Sequence, residues 1–142
     1  MFEISRSALL DKGPETVWGA LAAFDQLDAW FTPCTHCERC SNETEGVGLT
    51  RRVQLGEAAV LESVTTWEPG ARLVYTVSGM PELIEHMENA WWLGPEGPGT
   101  RVTLTTRVRT RRLAGAAAYE LVARRRLEAF ATQLVEGIAA YT

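Results

Sequence analysis

The stretch Val47–Val64, VGLTRRVQLGEAAVLESV, reads as two strands around a tight turn. In its first half every second residue is apolar (Val47, Leu49, Val53, Leu55), except that Arg51 takes one place in the series. The second half repeats the exception, with Glu62 between Val60 and Val64. Alternation sends each of these series to one face of a sheet. Gly56-Glu57 suits a two-residue type II′ turn, which wants glycine first. Leu55 then pairs with Ala58, Val53 with Val60, and Arg51 with Glu62. Side chains paired this way have β-carbons ~5 Å apart, within reach of a guanidinium–carboxylate contact. A slip of one residue would turn the apolar set to the wrong face, so the register is well specified. One reading is an ion pair at an exposed sheet end, contributing ~0–1 kcal/mol. The other is a pair lining a pocket, where a ligand or ordered water completes its hydrogen bonding.

Working outward, residues 2–10 alternate weakly and predict a first strand. Gly13-Pro14 then opens a helical segment with apolar positions at Val17, Leu21 and Phe24. A second short helix is expected from about Asp25 to Trp30. From Cys34 to Thr110 the period is two, broken by turn signals at Glu45-Gly46, Gly56-Glu57, Pro69-Gly70, Gly79-Met80-Pro81 and Gly94–Gly99. Roughly six further strands in an antiparallel meander follow. Leu113–Tyr141 reads as one long helix with a stripe at Leu127, Phe130, Leu134 and Ile138. The fold class is therefore α+β: about seven strands in a curved antiparallel sheet, wrapped around a long C-terminal helix, with two short helices after the first strand. Such a sheet leaves a hollow against the helix, where a ligand would lie. No linker or repeat divides the chain, so residues 1–142 form a single domain.

If Gly94–Gly99 is all loop, Leu93 pairs with Thr100, Trp91 with Val102, Asn89 with Leu104 and Met87 with Thr106. Asn89 and Thr106 are then polar points in an apolar wall, and Tyr75 lies inward between Leu73 and Val77. His86 and Glu88 fall on the solvent side. Trp30 and Phe31 are expected to pack the short helices, and Trp18 to join the core.

The formal net charge of −4 argues against a nucleic-acid binder. The Arg107–Arg112 and Arg124–Arg126 clusters read as solvated faces. No apolar run approaches the ~20 residues of a membrane span, and the N-terminus does not read as a signal peptide, so a cytoplasmic protein is expected. The three cysteines, Cys34, Cys37 and Cys40, lie in PCTHCERC with His36 among them. A zinc site needs a second ligand pair, and the only other histidine is His86. If the stretch is extended, Cys34 and Cys40 share a face and Cys37 points away, so buried or cavity-lining thiols are expected and no metal.

The motifs PETVWGAL…LDAWF, VGLTRRV, VLESV, WEPGARLVY and PGTRVTLTTRV, in this order, resemble the START-like helix-grip superfamily, also called SRPBCC. The branch they resemble most is polyketide cyclase/dehydrase and lipid transport. The resemblance implies a deep apolar pocket gripped by the C-terminal helix. It puts the family's inward arginine on Arg51, its pocket glutamate on Glu62, its inward aromatic on Tyr75 and its gating loop on Ser78–Glu82. The next strand's inward positions fall on Met87, Asn89 and Trp91. The short LGEA turn implies that the hormone-receptor gate is absent, and PCTHCERC matches no family pattern.

Two functions are expected from this. One is a cyclase or aromatase acting on a polyketide-like intermediate, with Arg51, Glu62 and Tyr75 as catalytic residues. Arg51 would stabilise an oxyanion, and Glu62 or Tyr75 would relay protons. The other is a non-catalytic carrier or sensor of an apolar molecule, with Arg51 on a ligand carboxylate or phosphate. A pocket-poor variant that binds a protein by its convex face is a third. Val53, Val60, Met80, Met87, Asn89, Trp91, Leu104 and Thr106 are expected to line the ligand site. No hydrolytic triad, phosphate loop or nucleotide fingerprint occurs, and no cofactor is expected. Arg109, Arg111 and Arg112 offer a basic patch for an acyl carrier protein. On this reading, removing either charge of the Arg51–Glu62 pair should alter ligand binding far more than folding.

Overall fold

Strand β1 (Phe2–Leu10) opens the chain in the computed structural model, which describes residues 1–142. Pro14, which needs no backbone partner at a helix start, begins α1 (Pro14–Ala22). A 3-10 helix, Phe24–Ala29, follows and buries Phe24 and Leu27. Strands β2 (His36–Arg39), β3 (Thr50–Leu55), β4 (Ala58–Glu68), β5 (Arg72–Ser78), β6 (Ile84–Glu96) and β7 (Gly99–Thr110) complete one sheet. Its seven strands run in the order β1-β7-β6-β5-β4-β3-β2, every pairing antiparallel. Helix α2 (Ala116–Tyr141) lies in the concave face and buries Leu127, Ala131, Leu134, Val135 and Ile138. This is the helix-grip α+β architecture expected from the sequence.

The β3–β4 hairpin has the expected register: Arg51 faces Glu62, Val53 faces Val60 and Leu55 faces Ala58. Gly56 takes φ +65° and no non-glycine residue has positive φ, which is the type II′ pattern. Irregularities between Val64 and Thr66 in β4, and between Ile84 and His86 in β6, add the curvature that lets the sheet wrap α2.

Two expectations are corrected. Gly94–Gly99 is not a six-residue loop: β6 and β7 run on to a two-residue turn at Gly97-Pro98. Trp91 therefore faces Leu104, Asn89 faces Thr106 and Met87 faces Val108. Pro95 is tolerated because β5 pairs with β6 only as far as Trp92, leaving the proline on a one-sided stretch of strand. Helix α2 begins at Ala116 rather than Leu113, because Gly115 at φ +83° breaks the helical run.

Candidate functional site

Between the concave face and α2 lies a cavity of about 60 Å³, lined mostly by apolar side chains. The strands contribute Arg51, Val53, Leu55, Val60, Glu62, Tyr75, Val77, Met87, Asn89 and Thr106. Leu127, Phe130, Ala131 and Leu134 of α2 close it from the other side, with Leu27, Phe31 and Met80 at its edges. An outer groove of about 320 Å³ adjoins it, between α2, the β3–β4 hairpin and the Gly79-Met80-Pro81 loop. Leu55, Val60, Met80, Leu127 and Phe130 belong to both spaces and form the partition between them.

Arg51 is 3% exposed and Glu62 7%. The Arg51 Nε and Nη2 atoms both donate to Glu62 Oε1 at 2.7 Å, and Nη1 donates to the Phe24 carbonyl at 2.8 Å. The guanidinium also lies 3.8 Å from the Phe24 ring centroid and 4.9 Å from that of Tyr75. Burial by itself would lower the Arg51 pKa, but the Glu62 carboxylate outweighs it and holds the guanidinium above its ordinary value. Glu62 Oε2 makes no hydrogen bond to protein and faces the cavity.

Tyr75 sits diagonally across from Glu62 on β5. Its oxygen accepts a bond from Trp91 Nε1 at 3.2 Å, while its own proton has no partner. Burial, then the nearby Glu62 carboxylate, pushes the phenol up to about 12, so it remains a donor at neutral pH. Thr106 Oγ1 donates to Asn89 Oδ1 at 2.6 Å, which turns Nδ2 toward Tyr75, where its bond partly opposes the rise in the phenol's pKa. The cavity thus combines an unpaired carboxylate oxygen, Glu62 Oε2, and the unpaired Tyr75 hydroxyl proton with an otherwise mostly apolar lining.

Of the residues expected at the site, Arg51, Glu62, Tyr75, Val53, Val60, Met80, Met87, Asn89 and Thr106 meet at the cavity. Trp91 and Leu104 do not, although they face inward. Both are fully buried at a level where the interior is filled, and Trp91 packs edge-on against Trp30 at 6.1 Å. Phe31, expected to pack the short helices, also lines the cavity and meets Phe130 at 6.0 Å. The α2 contributors are not among the expected site residues; the signal that marks Leu127, Phe130 and Leu134 is the apolar stripe of that helix, since one helix face covers both core and cavity. His86 is on the outer face, 3.6 Å from Glu88.

The cysteines do not converge. Cys34 is buried in the turn before β2 and Cys37 is buried within β2, while Cys40 is exposed beyond it. The extended reading that gave Cys34 and Cys40 one face fails because β2 spans only His36–Arg39. No three His, Cys, Asp or Glu side chains group as metal ligands. Burial raises the Cys34 thiol and pushes Cys37 up to about 11, so neither is an active nucleophile at neutral pH. One thiol, Cys40, is expected to react with Ellman's reagent in the native protein, and the other two only after denaturation. Rapid reaction of all three would contradict this packing.

A curved antiparallel sheet gripping one long C-terminal helix over an apolar cavity defines the START-like, helix-grip class. The chain belongs to the polyketide cyclase/dehydrase and lipid transport family, whose model matches residues 1–141. Comparison with curated protein sequences gives no match. Among solved structures, the chain is similar to the Zhui aromatase/cyclase from Streptomyces sp. R1128, at 15% identity and TM-score 0.84, covering 99% of this chain and 92% of that one. It is also similar to the di-domain aromatase/cyclase StfQ of the steffimycin biosynthetic pathway, at 10% identity and TM-score 0.82. That match covers 97% of this chain and 49% of the larger protein. A START superfamily protein from Mycobacterium smegmatis matches at 14% identity and TM-score 0.74, with 99% of each chain covered. At such identities these are likenesses of fold. No helix is long and apolar enough to cross a membrane.

Proposed function

We propose that this chain binds an apolar, polyketide-like small molecule between its sheet and α2, and acts on it as a cyclase of the aldol and dehydration type. The observation that carries this reading is the free Glu62 Oε2 and the unpaired Tyr75 hydroxyl proton, which line the same mostly apolar enclosure. Glu62 Oε2 serves as base, taking a proton from a carbon flanked by carbonyls. Tyr75 and Asn89 donate to the enolate oxygen that forms. The enolate carbon attacks a second carbonyl of the same chain, and the protonated Glu62 returns its proton to the new alkoxide. Arg51 does not touch the substrate; it holds Glu62 in orientation. An acidic acyl carrier protein presenting the substrate belongs to the same reading. Arg109 is engaged with Glu85 and Arg111 with the Glu82 carbonyl, so the exposed Arg112, Arg125 and Arg126 are the cations left for it.

The cavity volume favours a second reading. About 60 Å³ holds a head group and not a folded polyketide, which suits a carrier or sensor that grips one end of its ligand. Turnover separates the two. With a linear poly-β-ketone thioester, the wild-type protein is expected to release a cyclised aromatic product. Glu62→Gln should be slower by roughly 10²–10⁴-fold, the usual worth of a positioned base. Wild-type protein that retains the compound unchanged through gel filtration would sink the cyclase and leave the carrier.

A further inference from the structure

The cavity and the outer groove share a wall of five side chains, Leu55, Val60, Met80, Leu127 and Phe130. A ligand that reaches from one space into the other has to displace one of them. Val60 and Leu127 are buried in the core, and Leu55 is held at the end of β3 by its pairing with Ala58. Phe130 is braced by Phe31, edge to face with ring centroids 6.0 Å apart. Met80 alone stands on a connection between strands, half-buried, with an unbranched and freely rotating side chain. We infer, on the pocket reading above, that this wall selects ligands by shape: Met80 yields to a single unbranched chain, and Phe130 is the specificity-determining residue that keeps fused rings out.

The girth of what is displaced sets the girth of what passes. A methionine side chain is itself an unbranched chain, so the gap it vacates fits another, an alkyl or polyene tail. A fused-ring ligand is wider and needs Phe130 to move as well. The helical backbone allows that ring few χ1 settings, and turning it aside gives up its contact with Phe31. Volume agrees with passage through the wall. At about 60 Å³ the cavity alone encloses no complete ligand. Joined to the groove of about 320 Å³, it falls in the roughly 300–1,000 Å³ range of pockets that do.

Calorimetric titration with 1-decanol and 2-naphthalenemethanol tests this. The two carry the same primary hydroxyl on nearly equal numbers of carbons, one as a chain and one as fused rings. Phe130→Ala should strengthen naphthalenemethanol about tenfold or more relative to decanol, the least that a misfit of one methylene costs in an apolar pocket. Comparing that ratio between variant and wild type cancels the different hydrophobicity of the two compounds. Met80→Ala should tighten decanol and leave the ring excluded. A folded Phe130→Ala whose ring-to-chain preference matches wild type overturns the shape selection and leaves the pocket reading standing. So does a Met80→Ala variant that admits the ring, a result that needs no folded Phe130 variant. Binding of neither compound to any of these proteins overturns both.

Discussion

Arg51→Ala is expected to cost about 3–5 kcal/mol of folding stability, measured by urea denaturation, because it strands a buried carboxylate without its counter-ion. That is a large share of the roughly 5–15 kcal/mol that holds a domain folded. The substitution removes both bonds to Glu62 and the bond to the Phe24 carbonyl, and empties the slot between the Phe24 and Tyr75 rings. The Phe24 carbonyl also meets the Cys37 thiol, at 3.7 Å. Arg101→Ala is the control. Its pair with Glu96 has a similar 2.9 Å spacing but is nearly half exposed, and its removal should change stability by ~0–1 kcal/mol. Replacing the buried pair together, Arg51→Met with Glu62→Leu, should recover most of the loss, since neither charge is then stranded. A cost for Arg51→Ala no larger than for Arg101→Ala would mean that water reaches the pair. The expectation that the pair matters to a ligand far more than to folding is therefore kept for Glu62 and replaced, for Arg51, by this larger expected loss of stability. Glu62 has an oxygen to spare, while all three Arg51 nitrogens are already engaged.

The fold was legible because its signals are local and agree with one another. Gly56 fixes a two-residue turn, the turn fixes the register, and the register puts Arg51 against Glu62. The same logic failed at Gly94–Gly99. Five of six residues there are glycine or proline, a composition that normally marks a loop, yet the strands pair through it. What permits this is the end of β5 pairing at Trp92, a tertiary fact that no residue near Pro95 records. The register error was two residues, an even number, so Met87, Asn89 and Trp91 kept their face and only their partners changed.

For the site, period two gives the face of a strand residue but not its depth. Trp91 and Asn89 both point inward, but the cavity reaches Asn89 and stops short of Trp91. Cavity size is still less legible. It is the space left after Phe31, Met80 and Phe130 have taken their rotamers, and it depends on how near α2 comes to the sheet. Which oxygen of Glu62 is free depends in the same way on the angle at which Arg51 arrives.

The approach of α2 turns on Gly137, and Gly137→Ala is expected to destabilise the protein by ~1–3 kcal/mol although helix propensity points the other way. In an exposed helix interior, alanine for glycine gains up to ~1 kcal/mol. At Gly137 a β-carbon would lie 2.2 Å from the Trp30 carbonyl oxygen, which is backbone and cannot rotate aside. Either α2 or the segment after the 3-10 helix must move. Trp30 packs on Trp91, and Trp91 donates to Tyr75, so the displacement reaches the polar end of the cavity. Gly19→Ala in α1 is the matched comparison: nothing lies within 4 Å of its added β-carbon, and its Tm should rise or hold. The pair of variants therefore has opposite expected signs for the same chemical change. Thermal melts in which both raise Tm would show that α2 sits farther from Trp30 than this packing allows, and the cavity between helix and sheet would have to be correspondingly larger.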